Sequence, residues 1–216
     1  MPASRRTRYR KALASLAIAA VAAATALAHP HVTRRIEIGL TPGKVVVQYF
    51  TVPYNEAHLG SVPTGFLWHL GFASVEIDGT LTAGGSKIAP GKYHLLAQQL
   101  AEKKWSLALV PQGSGGTIAA IGREALAEKD EAKRRALIEK MTGAAAGKIA
   151  LATGYVRGGA APTEHLSITV EDRGHDLGEL RQGGKPGEKS LGREFVLHVD
   201  FGDLHGSVVF AEPPAG

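Results

Sequence analysis

Beyond the first thirty or so residues, apolar and polar side chains alternate in short runs, a period of two that predicts β-strands. In "TRRIEIGL" Ile36 and Ile38 share one face. "KVVVQYFTV" follows after Thr41-Pro42-Gly43, where proline presets a turn and glycine accepts a positive φ, so the two runs predict a hairpin. "SVEIDGTLT" carries Asp78-Gly79, a pair favoured in two-residue hairpin turns, and Pro90-Gly91 precedes a strand from Lys92. "KKWSLALVP" sets Trp105, Leu107 and Leu109 against small residues. "HLSITVED" aligns Leu166, Ile168 and Val170; "EFVLHVDF" aligns Phe195, Leu197, Val199 and Phe201; "GSVVFAE" can pair back onto that strand through "GDLHG". About eight or nine closely spaced strands with no βαβ rhythm predict a mainly β fold, an antiparallel sandwich or jelly-roll-like barrel.

One stretch has the helical period instead. "IGREALAEKDEAKRRALIEKMTG" is built of helix formers, with acidic residues early, basic ones late and Gly143 as a stop, and predicts a single inserted α-helix over about 119–142. Its apolar stripe is modest, which suits a helix capping an open end of the sandwich. Glu124, Glu128, Asp130, Glu131 and Glu139 balance its bases and argue against a membrane-surface helix. The glycine-rich stretches after the helix and after Arg173 read as loops. No linker divides the chain, so residues 29–216 are expected to form one domain.

The first 28 residues carry a basic stretch, an uncharged alanine-rich run and small residues at its end, the pattern of a cleaved secretory signal. The run falls short of the roughly 20 strongly apolar residues a spanning helix needs, so no stable transmembrane anchor is expected after cleavage. The expected location is periplasmic or secreted, in a bacterium. Cleavage also changes the charge: five of the 25 basic residues and none of the 20 acidic ones lie in that segment, so the mature chain balances at net zero. The pI near 9.5 therefore gives no support to a nucleic-acid partner. With no cysteine, stability must come from burial rather than disulfides.

The middle of the chain, "GFLWHLGFASVEIDGTLTAGGSKIAPGKYHLLAQQLAEKKWSLALVP", resembles the bacterial domain-of-unknown-function 2911 family. The residues that carry the resemblance are Trp68 and Gly71, then Ile88, Pro90, Gly91, Tyr93 and Leu95, then Trp105, over about residues 45–111 and more weakly in the final hairpin. It implies a secreted β-sandwich of no established activity. The chain departs from the family pattern at His69, which stands where the family has arginine, and at Phe72-Ala73, which replace an alanine-asparagine pair; the helix and the long loops look like additions.

Three groups of residues could carry chemistry. Signal cleavage after Ala28 makes His29 the N-terminal residue, its amine and imidazole forming a nitrogen pair suited to copper with one further histidine; cleavage after Ala26 instead places His29 third, in a square-planar copper or nickel motif. His31 is a further metal candidate, although after a cut at Ala28 it cannot serve as the third residue of such a motif, because Pro30 has no amide proton to lose. The second group is the long connection "VPYNEAHLGSVPTGFLWHLGF", where Tyr54, Glu56, His58, Trp68 and His69 gather polar and aromatic types suited to a ligand, or Glu56 and a histidine to acid-base work. The third is "LHVDFGDLHG": His198 and Asp200 share an outward face, Asp203 and His205 fall at the turn, and His198 and His205 are metal candidates. His94 reads as an ordinary strand residue. No phosphate-binding loop and no nucleophile elbow occurs. The sequence thus favours a binding module without catalysis, for a protein partner or small molecule, over a copper-binding protein or redox enzyme using His29.

Overall fold

The computed structural model describes residues 32–40, 43–101, 104–151, 156–157, 163–173 and 193–213. One sheet orders its strands β1 (Thr33–Leu40), β2 (Gly43–Phe50), β3 (Leu67–Ile77), β6 (Gly91–Ala101), β7 (Lys104–Pro111) and β8 (Ile149–Leu151). The other orders β10 (Thr163–Asp172), β11 (Glu194–Gly202), β12 (Leu204–Ala211), β4 (Leu81–Ala83) and β5 (Ser86–Ile88), with β9 (Val156–Arg157) paired to β12. The fold is mainly β, two antiparallel sheets in a sandwich-like arrangement, as the alternation predicts. Residues 1–31, which include the expected signal segment and His29 and His31, lie outside the described residues.

The β1–β2 and β11–β12 hairpins form, with Ile36 opposite Val47 and Phe201 opposite Leu204. The last turn is tighter than expected, and His205 falls inside β12 rather than in it. Asp78-Gly79 is not a two-residue hairpin turn. The Asp78 amide still donates to the Lys44 carbonyl at the end of the first sheet, after which the chain crosses to the second, where Leu81 and Ala83 are buried and Phe210 pairs with Ala83. The hairpin turn falls instead at Gly84-Gly85, both at positive φ, between β4 and β5.

The inserted helix is two helices. α2 (Gln112–Ala127) and α3 (Glu131–Ala144), which follow a short α1 (Glu56–Gly60), are separated where the Asp130 side chain accepts from the Lys133 amide and caps a new helix. α2 begins earlier than its glycines suggest, because Gly115 packs directly on the His94 ring and the face Ile118, Ile121, Gly122 and Ala125 is buried. Nor do the helices cap an end. On β6 and β7, Leu95, Leu107 and Leu109 share one face and Leu96, Ala108 and Val110 the other, and all are buried. Strands buried on both faces need cover on both. The second sheet covers one, and α2, lying against β3, β6 and β7, covers the other.

β2 pairs with β3 only through Val45–Gln48 against Ser74–Ile77. Beyond Phe50 the chain leaves the first sheet for the edge of the second: the Leu166 amide donates to the Val52 carbonyl, the Tyr54 amide donates to the Glu164 carbonyl, and Pro53 bridges His165. The Tyr49 hydroxyl continues this seam by accepting from the Ile168 amide at 3.0 Å and donating to its carbonyl at 3.2 Å. These contacts pair backbone groups that an edge strand would otherwise leave open. The departure of β2 leaves the first half of β3 without a neighbour on that side.

Candidate functional site

A cavity of about 630 Å³ opens in that gap. The crossing segment lines it with Val52, Pro53 and Asn55; β3 and the loop before it with Phe66, Trp68, His69 and Phe72; α2 with Ile118, Ala119, Gly122, Arg123 and Leu126; and β11 with Phe201. Most of these are apolar, and the volume falls in the range of small-molecule pockets. Gly122 makes room for the wall: a Cβ there would stand 3.2 Å from the Phe66 ring and 3.5 Å from the Met141 sulfur.

Trp68 sits at the junction of cavity and core, its ring 6.1 Å from Trp105 and 5.6 Å, edge to face, from Phe201. At the mouth, the register of β3 against β6 shifts between His69 and Ser74. Two residues within this bulge have positive φ, Gly71 at 53° and Phe72 at 52°. Gly71 is required: a Cβ there would lie 2.2 Å from the Phe50 carbonyl oxygen. Phe72 has no such licence, and its ring is 68% exposed, edge to face with Phe50 at 6.4 Å.

His69 is part-buried, but its exposure does not come from its nitrogens. Both are shielded from solvent and complete no hydrogen bond, as is the Nδ1 of His94, whose ring meets that of His69 at 5.2 Å and 75°. Burial first, and then the neighbouring His94, push the His69 imidazole down to about 4; the Gly115 backbone offsets part of this without the geometry of a completed hydrogen bond. The ring is therefore neutral at pH 7, and it meets the cavity through its carbon atoms.

Of the ligand candidates read from the sequence, Trp68 and His69 line the cavity. Tyr54 stands behind it, packed edge to face on Phe201 at 5.3 Å with its hydroxyl donating to Asp203 at 3.3 Å. Glu56 is exposed at the start of α1, and no hydrogen bond or ion pair joins it to His69 among the described residues. The His58 side chain lies outside the described residues. The third group is split into pairs on the outward face of β10–β11–β12: His198 Nε2 is 3.3 Å from Glu171, whose carboxyl its hydrogen bond and that of Arg173 hold below the usual range, and His205 Nδ1 is 2.6 Å from Asp200. No group of three or more histidines or carboxylates among the described residues is arranged to hold a metal ion.

Sequence reasoning missed the contribution of α2, because "QGSGG" looks like a loop, and took His94 for an ordinary strand residue. The glycine at 115, four residues past Pro111 at the end of β7, was the available signal of a close helix approach. The fold and site define a β-sandwich with one helix-covered sheet and a lateral apolar cavity. No family model, curated protein or solved structure matches this chain.

Proposed function

We propose that this protein is an exported, non-catalytic binding module that takes up a small, mostly apolar molecule in the cavity beneath α2. The observation that carries the reading is the cavity itself: about 630 Å³ walled by Phe66, Trp68, Ile118, Leu126 and Phe201, mostly apolar and open at one side. Export rests on the N-terminal pattern of bases, alanine-rich run and small residues. No helix among the described residues is long and apolar enough to cross a membrane. The likeness of Trp68, Pro90, Gly91, Tyr93 and Trp105 to the unknown-function family agrees with a secreted sandwich; here Tyr93 donates to the Ala89 carbonyl at 2.8 Å, and Trp105 packs against Trp68 in the cavity wall.

The test is uptake of N-phenyl-1-naphthylamine, an uncharged probe that fluoresces in apolar surroundings. Ala119 lines the cavity from α2, and Ala119→Phe fills it without disturbing the helix. Saturable uptake by the wild type, lost in a folded Ala119→Phe protein, supports the reading. Equal uptake by both proteins, or none by either, overturns it.

A further inference from the structure

Resting on the cavity reading above, we infer that its mouth is an aromatic slot selecting a planar aromatic ligand, held between the rings of Phe72 and His69. The two ring centroids stand 6.3 Å apart with planes tilted by only 32°, and both residues line the cavity. A flat ring stacked between two others needs faces roughly 7 Å apart, twice the contact distance between carbon atoms, so a slight opening of the mouth admits one. An aliphatic body of the same skeleton is too thick for that gap.

Each wall is backed by its surroundings. Phe72 is backed edge to face by Phe50, and the bulge that aims it holds a non-glycine residue at φ 52°. Such strain persists only where neighbours enforce it, and it gathers at functional positions. Without the bulge a strand residue here would lie along the sheet; with it, an aromatic ring stands in solvent at the cavity entrance. The opposite wall is set by His94, which meets His69 nearly at right angles while being pinned beneath Gly115. Because both His69 nitrogens are shielded, the ring serves as a flat neutral surface rather than as a metal ligand or a base. Phe66, Trp68 and Phe201 then receive whatever extends inward.

The experiment compares 2-naphthol with decahydro-2-naphthol by isothermal titration calorimetry, with wild type and Phe72→Leu. Both ligands carry the same carbon skeleton and a hydroxyl at the same position, and comparing the ratio between wild type and Phe72→Leu cancels the stronger hydrogen-bond donation of the aryl hydroxyl. Two stacked faces predict a preference for 2-naphthol of roughly tenfold or more in the wild type. Phe72→Leu, which keeps an apolar side chain at the mouth but removes one aromatic face, should bring the ratio close to one. Equal binding of the two ligands by the wild type, or a preference that survives in Phe72→Leu, overturns the slot and leaves the cavity reading standing. If neither naphthol nor N-phenyl-1-naphthylamine binds, the cavity reading falls and takes the slot with it.

Discussion

Acidification provides a direct test of how His69 is held. In the unfolded chain its imidazole titrates near 6.5, whereas in the fold burial and then His94 bring it to about 4. Between those values the unfolded state binds a proton that the native state refuses, so stability falls as pH drops from about 6.5 to about 4 and the loss levels off below. At about 1.4 kcal/mol per pH unit the gap sets a ceiling of about 3 kcal/mol. The ring is only part-buried, and solvent screening brings the expected loss to about 1–2 kcal/mol.

Other groups also destabilise the protein in acid, among them Asp172 on Arg193 and Glu171 beside His198, so the informative quantity is a difference between two proteins. His69→Phe keeps a flat ring of similar size and removes the titration. Urea unfolding, followed by the fluorescence of Trp68 and Trp105, should be run at pH 7, 6, 5 and 4 on both. We expect the variant to match or exceed the wild type at pH 7, since two shielded and unpaired nitrogens are removed. Its advantage should then grow by about 1–2 kcal/mol toward pH 4. Parallel stability curves for the two proteins would falsify the placement of His69 as a shielded neutral ring. Because the variant retains an aromatic face, it should also keep the preference for 2-naphthol.

Three further substitutions probe the frame. Gly71→Ala forces a Cβ to 2.2 Å from the Phe50 carbonyl oxygen at φ 53°, and should cost about 3 kcal/mol or more in chemical denaturation; a loss under about 1 kcal/mol would mean the bulge is not as tight as described. Tyr49→Phe removes the hydroxyl that both donates to and accepts from Ile168 at the seam between the sheets, and should cost about 2 kcal/mol, with faster amide exchange at Ile168 as the local signature. Gly115→Ala places a Cβ 2.2 Å from the His94 ring, so α2 or the ring must move. Its effect should be a loss of 2-naphthol affinity larger than its loss of stability, and unchanged affinity would show that His94 does not set the His69 wall.

How far the sequence could be read depended on whether a signal was local. Strand alternation and the β1–β2 and β11–β12 hairpins were legible because register and turn chemistry lie within a few residues of one another. Asp78-Gly79 misled because a good turn dipeptide says nothing of which sheet the next strand joins; that was settled by Phe210 pairing with Ala83, more than a hundred residues away. The break at Asp130 was written as a capping residue inside a helical run, and was outweighed by the helix formers on either side. Trp68 and His69 were legible as candidates by type, yet the residues completing the cavity, Ile118, Ala119 and Leu126 on α2 and Phe201 on β11, come from distant elements with no motif joining them. A cavity formed by a strand leaving its sheet has no period and no signature.

The sandwich obeys local rules almost everywhere: buried alternation, paired edge groups, glycine at the positive φ positions of its turns, a capped α3. Several of its departures lie together at the cavity mouth. Phe72 is the only non-glycine residue at positive φ among those described, and it is also the most exposed large hydrophobic side chain. Beside it are an exposed Phe50 and the shielded, unpaired nitrogens of His69, with the Nδ1 of His94 one ring further in. Each departure costs on the order of 1 kcal/mol, and each is removable by a single substitution. Costs shared by neighbouring residues at the mouth of an apolar cavity support the proposal that this mouth holds a ligand, and the aromatic character shared by Phe50, His69 and Phe72 supports an aromatic one.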